Sequence, residues 1–162
     1  MGSKYMSGKQ LLLIITVAVI AFFLIFGLLQ GFDAVWSLWK VVPMKPHFAD
    51  LRNLTGAAES IRLGHDPLYV NPMDPTKRPL NHPRLVQFIV SSLGLDLSST
   101  TLVGVIFIIL FFVGVFIATP AIPPITGLVL ALAIFSPSVV HGFERANHDL
   151  FIFFLVSLAL AL

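Results

Sequence analysis

Three stretches of the chain contain no Asp, Glu, Lys or Arg: Leu11 to Phe32, Leu97 to Phe143, and Leu150 to Leu162. A helix needs about 20 mostly apolar residues to cross about 30 Å of hydrocarbon. The first stretch therefore holds one predicted span, residues 11–29, and the second holds two, residues 100–118 and 125–140. Between those two, Thr119-Pro120-Ala121-Ile122-Pro123-Pro124 makes a tight, proline-rich turn. The third stretch, 150–162, is too short to cross and reads as a membrane helix cut off in mid-bilayer. The alternative is a short helix buried among its neighbours or in an oligomer.

The polar segments carry shorter patterns. Leu51, Leu54, Ala58 and Ile61 recur at helical spacing while Arg52, Glu59 and Arg62 fall elsewhere, which predicts an amphipathic helix at the membrane surface. Asp50 is placed to cap its start, and Gly64, with Pro67 behind it, to end it. A second short helix is predicted to open at Pro83, capped by Asn81, and to run through Leu85, Val86, Phe88, Ile89 and Val90 to Gly94. It is too short to span and reads as interfacial or re-entrant. The expected fold class is all-α, a polytopic transmembrane helical protein whose long loop, residues 30–99, carries short amphipathic helices.

Composition and charge sharpen this picture. The chain is 57% hydrophobic and 11% charged, against about 25% charged in a soluble domain, which excludes a water-soluble globule. Lys4 and Lys9 beside the first span hold a tail, residues 1–10, in the cytoplasm by the positive-inside rule. The loop 30–99 and the short segment 141–149 then both lie outside, as expected of an integral protein of the plasma (inner) membrane. The basic residues of the long loop do not oppose this, because long loops are translocated largely regardless of charge. A net charge of +2 with no basic block excludes a nucleic-acid partner and leaves the lipid bilayer as the first partner. Without cysteine there is no disulfide, thiolate metal site or palmitoylation site. The start nearly fits a myristoylation signal, but Met6 stands where Ser or Thr is required. The apolar run from Leu11 to Leu29 exceeds the core of a signal peptide, about 7–15 residues.

No phosphate-binding glycine loop, nucleophile elbow or zinc-protease motif is present. Candidate chemistry therefore narrows to acids, bases and arginines outside the spans. Asp50 has two compatible readings: a helix N-cap, worth about 1 kcal/mol, or a general base worth about 10² to 10⁴ in rate. His47, His65, His82, His141 and His148 include no pair at i, i+4, so they read as surface or structural and no metal-ligand set is expected. Asn53-Leu54-Thr55 fits the N-glycosylation acceptor pattern. In Glu144-Arg145-Ala146-Asn147-His148-Asp149, Asp149 can cap the last helix and Arg145 can snorkel into headgroups. Alternatively, the planar fork of Arg145 suits a lipid phosphate.

Four elements now stand in order: Phe48-Ala49-Asp50 ahead of an Ala-Ala-containing helix, Gly64-His65-Asp66-Pro67-Leu68-Tyr69, Asn81-His82-Pro83 opening a short apolar helix, and Glu144-Arg145-Ala146-Asn147-His148-Asp149 opening a span. In this order the chain resembles the C-type membrane glycosyltransferases, most of all the polyprenol-phosphate-sugar-dependent enzymes of glycosyltransferase family 87. The resemblance covers about Asp33 to Leu162 and rests on order and spacing. It implies that Asp50 is the catalytic base and that Arg145, with Arg84 or Arg52 as alternatives, stabilises the leaving phosphate. It also implies that Tyr69 and His82 line the donor or acceptor cleft, and that Glu144 and Asn147 belong to the substrate-binding element before a later span. The implied partners are a polyprenyl-phosphate-linked sugar and an acceptor outside the cytoplasm. No cofactor is implied, and metal dependence is open. In two places the chain departs from the family: His82-Pro83-Arg84 replaces an aromatic-Pro-Pro element, and Ala146 stands where glycine is usual. Family members carry more spans, so the chain is expected to be an amino-terminal portion, inactive alone and completed by missing C-terminal spans or a partner chain. The runner-up is a non-enzymatic membrane subunit. A transporter is disfavoured because the spans hold no ionisable residue.

Overall fold

The computed structural model describes residues 6–162. Lys4, one of the two basic residues behind the expected orientation, and most of the myristoylation-like start lie outside them. Ser7 opens α1 (Gly8–Gln30): its hydroxyl accepts the Gln10 amide at 3.2 Å while its own amide donates to the Gln10 side chain at 2.9 Å. This reciprocal cap satisfies two donors that the first turn leaves unpaired. Gly31, at φ +86°, turns the chain into α2 (Phe32–Leu38), which the sequence reading had merged into the loop. The remaining helices are α3 (Ala49–Arg62), α4 (Arg84–Ser92), α5 (Thr100–Ala118), α6 (Pro124–Ile134), α7 (Pro137–Arg145) and α8 (Asp149–Ala161). A 3₁₀ turn, Leu97–Ser99, leads into α5. The structure is all-helical, 69% helix, with no strand among the described residues.

Two helical stretches, Gly8–Gln30 and Leu97–Ala118, are long and apolar enough to cross a membrane, and α6 with α7 makes a third if the bent pair is one span. Only 17% of the most apolar window of α1 is buried against the rest of the chain. So much uncovered apolar surface is compatible with a membrane protein, because exposure of it to water would be costly.

The expected continuous span over 125–140 is broken. α6 and α7 meet at 49°, since Pro137 has no amide to extend the ladder and instead starts a new helix at its first position. The freed carbonyl of Phe135 accepts the Trp39 indole N–H at 2.7 Å, so the segment after α2 satisfies the backbone at the break.

α1 lies along α6 and α5 lies along α8. At one end of the bundle, Gly8 and Gly127 bring the start of α1 against the backbone of the 122–127 turn, where the Gly8 amide donates to Ile122 at 2.9 Å. Lys9 reaches the Thr119 carbonyl at 2.9 Å, just past the end of α5. Phe111, Phe112 and Phe143 interlock in the apolar core with ring separations of 5.4–5.5 Å. A second, smaller core of Leu51, Leu54, Ala57, Ala58, Leu80 and Val90 holds the 49–95 segment together at the other end. There the Thr55 and Thr100 hydroxyls meet at 2.8 Å, fastening α3 to the start of α5.

Three capping expectations are corrected. Phe48, in the left-handed region at φ +62°, precedes α3 without a side-chain cap, so Asp50 lies inside the first turn and does not cap it. At α4 the helix begins at Arg84 after Pro83 with no side-chain cap, so Asn81 is not its cap. Asp149 does not cap α8 either. Its amide is taken by the Asn147 side chain at 2.9 Å.

Candidate functional site

Because Phe48 turns the chain into α3, the Asp50 carboxylate is free to face outward from the first turn. Its Oδ1 meets Nη1 of Arg78 at 3.3 Å. Arg78 is itself fixed by Asp74, a buried carboxylate that accepts from Thr76 Oγ1 at 2.7 Å, from the Arg78 amide at 2.8 Å, and from Arg78 Nε and Nη2 at 3.2 and 3.1 Å. The 71–78 loop is strapped to α3 by buried amides. Asn71 donates to the Asn53 carbonyl at 3.0 Å, Ser60 donates to Asn71 at 2.8 Å, and Asn53 donates to the Arg78 carbonyl at 3.0 Å. Gly56 permits this approach, since a Cβ there would stand 2.9 Å from the Met73 carbonyl oxygen.

The opposite wall comes from the junction of α7 and α8. Ala146, at φ +48°, reverses the chain so that Asn147 and His148 face the loop. The His148 ring meets His82 edge to face, with centroids 4.5 Å apart. Beneath both walls, Gly104 of α5 leaves room for the Phe48 ring and the Ala146 methyl, which an added Cβ would meet at 2.9 and 3.0 Å.

Between the walls is a cleft of about 200 Å³ whose lining includes Asp50, Asn53, Arg78, His82, Asn147 and His148. Burial holds His82 below the usual imidazole range, and neighbouring His148 adds to this against the opposite pull of Asp50 and Asp149. Burial alone would raise the Asp74 carboxyl, but the hydrogen bonds from Arg78 and Thr76 outweigh it and hold the group below the usual carboxylate range. Arg78 is correspondingly raised, first by its hydrogen bonds to Asp74. One guanidinium thus sits between two carboxylates, the buried Asp74 behind it and Asp50 at the cleft. Such a site can accept a proton from a hydroxyl and hydrogen-bond neutral polar groups through its amides. Among the described residues, no group of three or more His, Cys, Asp or Glu is placed to hold a metal ion.

Of the candidate catalytic and substrate-binding residues, Asp50, His82 and Asn147 meet in this cleft. The others do not line it. Arg52 donates through Nε to the His47 carbonyl at 2.8 Å. Tyr69 is exposed on the loop surface. Arg84 pairs with Asp66 at 2.9 Å on the outside. Glu144 is fully buried and takes the Met44 amide at 2.7 Å. Nε of Arg145 lies 2.9 Å from Glu144 Oε2, and its Nη1 lies against Met44 Sδ. Asn53 of the glycosylation pattern is buried with its amide occupied, so the folded chain does not present it. The sequence reading missed Arg78 and Asp74, and it took His148, which lines the cleft, as a surface or structural histidine. The only local signal for the first two was an arginine four residues after an aspartate in a turn-rich segment.

What the fold and site define is an all-helical protein with apolar helices of membrane-crossing length and a polar cleft at one end of them. Compared with protein-family models, curated proteins and solved structures, the chain shows no match to any.

Proposed function

We propose that the chain is the amino-terminal part of a C-type membrane glycosyltransferase, moving a sugar from a polyprenyl phosphate carrier to an acceptor hydroxyl outside the cytoplasm. The observation that carries the reading is convergence in space. Asp50 at the start of the loop helix, His82 ahead of α4, and Asn147 ahead of α8 are distant in sequence yet share one cleft. Ala146 adds support: its left-handed backbone is the conformation glycine adopts without strain, at the position where the family usually has glycine.

In this reading Asp50 takes the acceptor proton as the acceptor oxygen bonds the anomeric carbon, and the bond to phosphate breaks with its electron pair leaving on the phosphate. Among the described residues, Oδ2 of Asp50 has no protein hydrogen-bond partner, so that oxygen is open to a hydroxyl. Arg78, rather than Arg145, is the guanidinium beside the reacting carboxylate. α4 would lie in the headgroup layer, since Leu85, Phe88, Ile89 and Leu93 expose an apolar face next to Arg84. That placement brings the cleft to the level where a lipid-linked phosphate emerges.

The test is made on membranes containing the whole protein, supplied with labelled polyprenyl-phosphate hexoses and pentoses. The expected result is protein-dependent loss of label from the lipid carrier with at least one sugar. Loss no faster than in membranes lacking the protein, for every sugar tried, would contradict the proposal.

A further inference from the structure

We infer that Asp74 and Arg78 form a clamp that holds the Asp50 carboxylate at the cleft, with Arg78 a positioning residue and Asp74 its anchor. The inference rests on the reading of Asp50 as the base. An ordinary exposed ion pair would not carry it, because such pairs are held loosely and are worth about 0–1 kcal/mol. Here the pairing is built on a carboxylate whose side chain is 0% exposed and whose oxygens take four donors, three of them from Arg78. With all of those bonds committed inside, Asp74 has no role as a base toward a substrate. Its role is to orient the guanidinium.

The guanidinium is oriented toward α3 at the residues that frame Asp50. Nη2 donates to the Ala49 carbonyl at 2.6 Å, Nη1 reaches Asp50 Oδ1 at 3.3 Å, and the Arg78 carbonyl accepts from Asn53 at 3.0 Å. Arg78 therefore grips the first turn of α3 one residue before Asp50 and again three residues after it. One carboxylate oxygen is pinned and the other is left toward the cleft. The planar fork is essential to this arrangement, since Asp74, Ala49 and Asp50 are met by different edges of one rigid group. A lysine keeps the charge but offers a single ammonium on a flexible stem and cannot serve all three.

The test compares sugar transfer by the whole protein in membranes for Arg78→Lys, Arg78→Gln, Asp74→Asn and Asp50→Asn. Arg62→Lys, at a surface pair with Asp96 at 3.5 Å, is the control. Amide hydrogen exchange over residues 49–53 is followed in parallel. A clamp predicts that Arg78→Lys and Arg78→Gln lower kcat at least about tenfold, the equivalent of about 1.4 kcal/mol, while acceptor KM and membrane abundance stay within about twofold. Asp74→Asn falls in the same direction, and exchange over 49–53 speeds up in all three. A wild-type kcat in Arg78→Lys, with Asp50→Asn inactive, would overturn the clamp and leave the base reading standing. A wild-type rate in Asp50→Asn would instead remove the base and the clamp's purpose with it. If an Arg78 variant fails to accumulate, Asp74→Asn alone decides: unchanged kcat and unchanged exchange overturn the inference.

Discussion

Ala146 is fully buried and holds φ +48°, ψ +50°, a region where a Cβ costs roughly 1–2 kcal/mol. Its methyl sits over Gly104, so burial, worth about 0.8 kcal/mol per methylene-sized group, offsets part of that cost. Ala146→Gly is therefore expected to leave thermal stability in detergent within about 1 kcal/mol of the parent. Ala146→Val is expected to destabilise by more than about 2 kcal/mol, since a β-branched residue is excluded from this region and has no space above α5. Equal melting temperatures for Val and Gly would refute the strain argument. At this scale the sequence was only partly readable. Asp50 stood out because an acidic residue ahead of a helical pattern is conspicuous. Its capping role did not hold, because the left-handed turn at Phe48 depends on a backbone bond to Glu144, distant in sequence, at 3.2 Å. Arg78 could not be paired with Asp50 from sequence, since no periodicity links an irregular loop to a helix start.

Among the elements, α5 is the one on which both walls of the cleft rest. Phe48 and Ala146, the residues that set the directions of α3 and of the α7–α8 junction, both lie on Gly104. Gly104→Leu should push the walls apart, lowering transfer at least about tenfold, a loss of about 1.4 kcal/mol in transition-state stabilisation. Gly142→Ala, whose added carbon would meet only Leu150 at 3.8 Å, should leave the rate unchanged. Comparable rates for the two variants would show that the cleft does not depend on this contact. The helix at α5 was legible because an unbroken apolar run offers the backbone no competing partner. The break between α6 and α7 was not, because a hydropathy average passes over the single residue, Pro137, that decides it. α2 was hidden for a related reason: Asp33 falls in its first turn and makes the segment look like the start of a polar loop, although Val35 and Trp36 are buried.

Across the whole molecule, the cleft and the start of α1 lie at opposite ends of the bundle. Thr55 meets Thr100 at the beginning of α5, while Lys9 meets Thr119 just past its end. A 19-residue helix is about 28 Å long, close to the thickness of the hydrocarbon layer. This arrangement suits a protein whose basic amino-terminal flank stays on one side of a bilayer while its polar cleft works on the other. The reading of Asp50 as the group that accepts the proton there is tested most directly by one measurement. It is the initial rate of sugar transfer from a polyprenyl phosphate donor by the whole protein carrying Asp50→Asn, normalised to protein in the membrane. Asparagine keeps an oxygen for Arg78 and, because Asp50 caps no helix, removes little besides the proton acceptor. A fall of at least about a hundredfold is expected at unchanged abundance. Transfer at the parent rate would contradict the account.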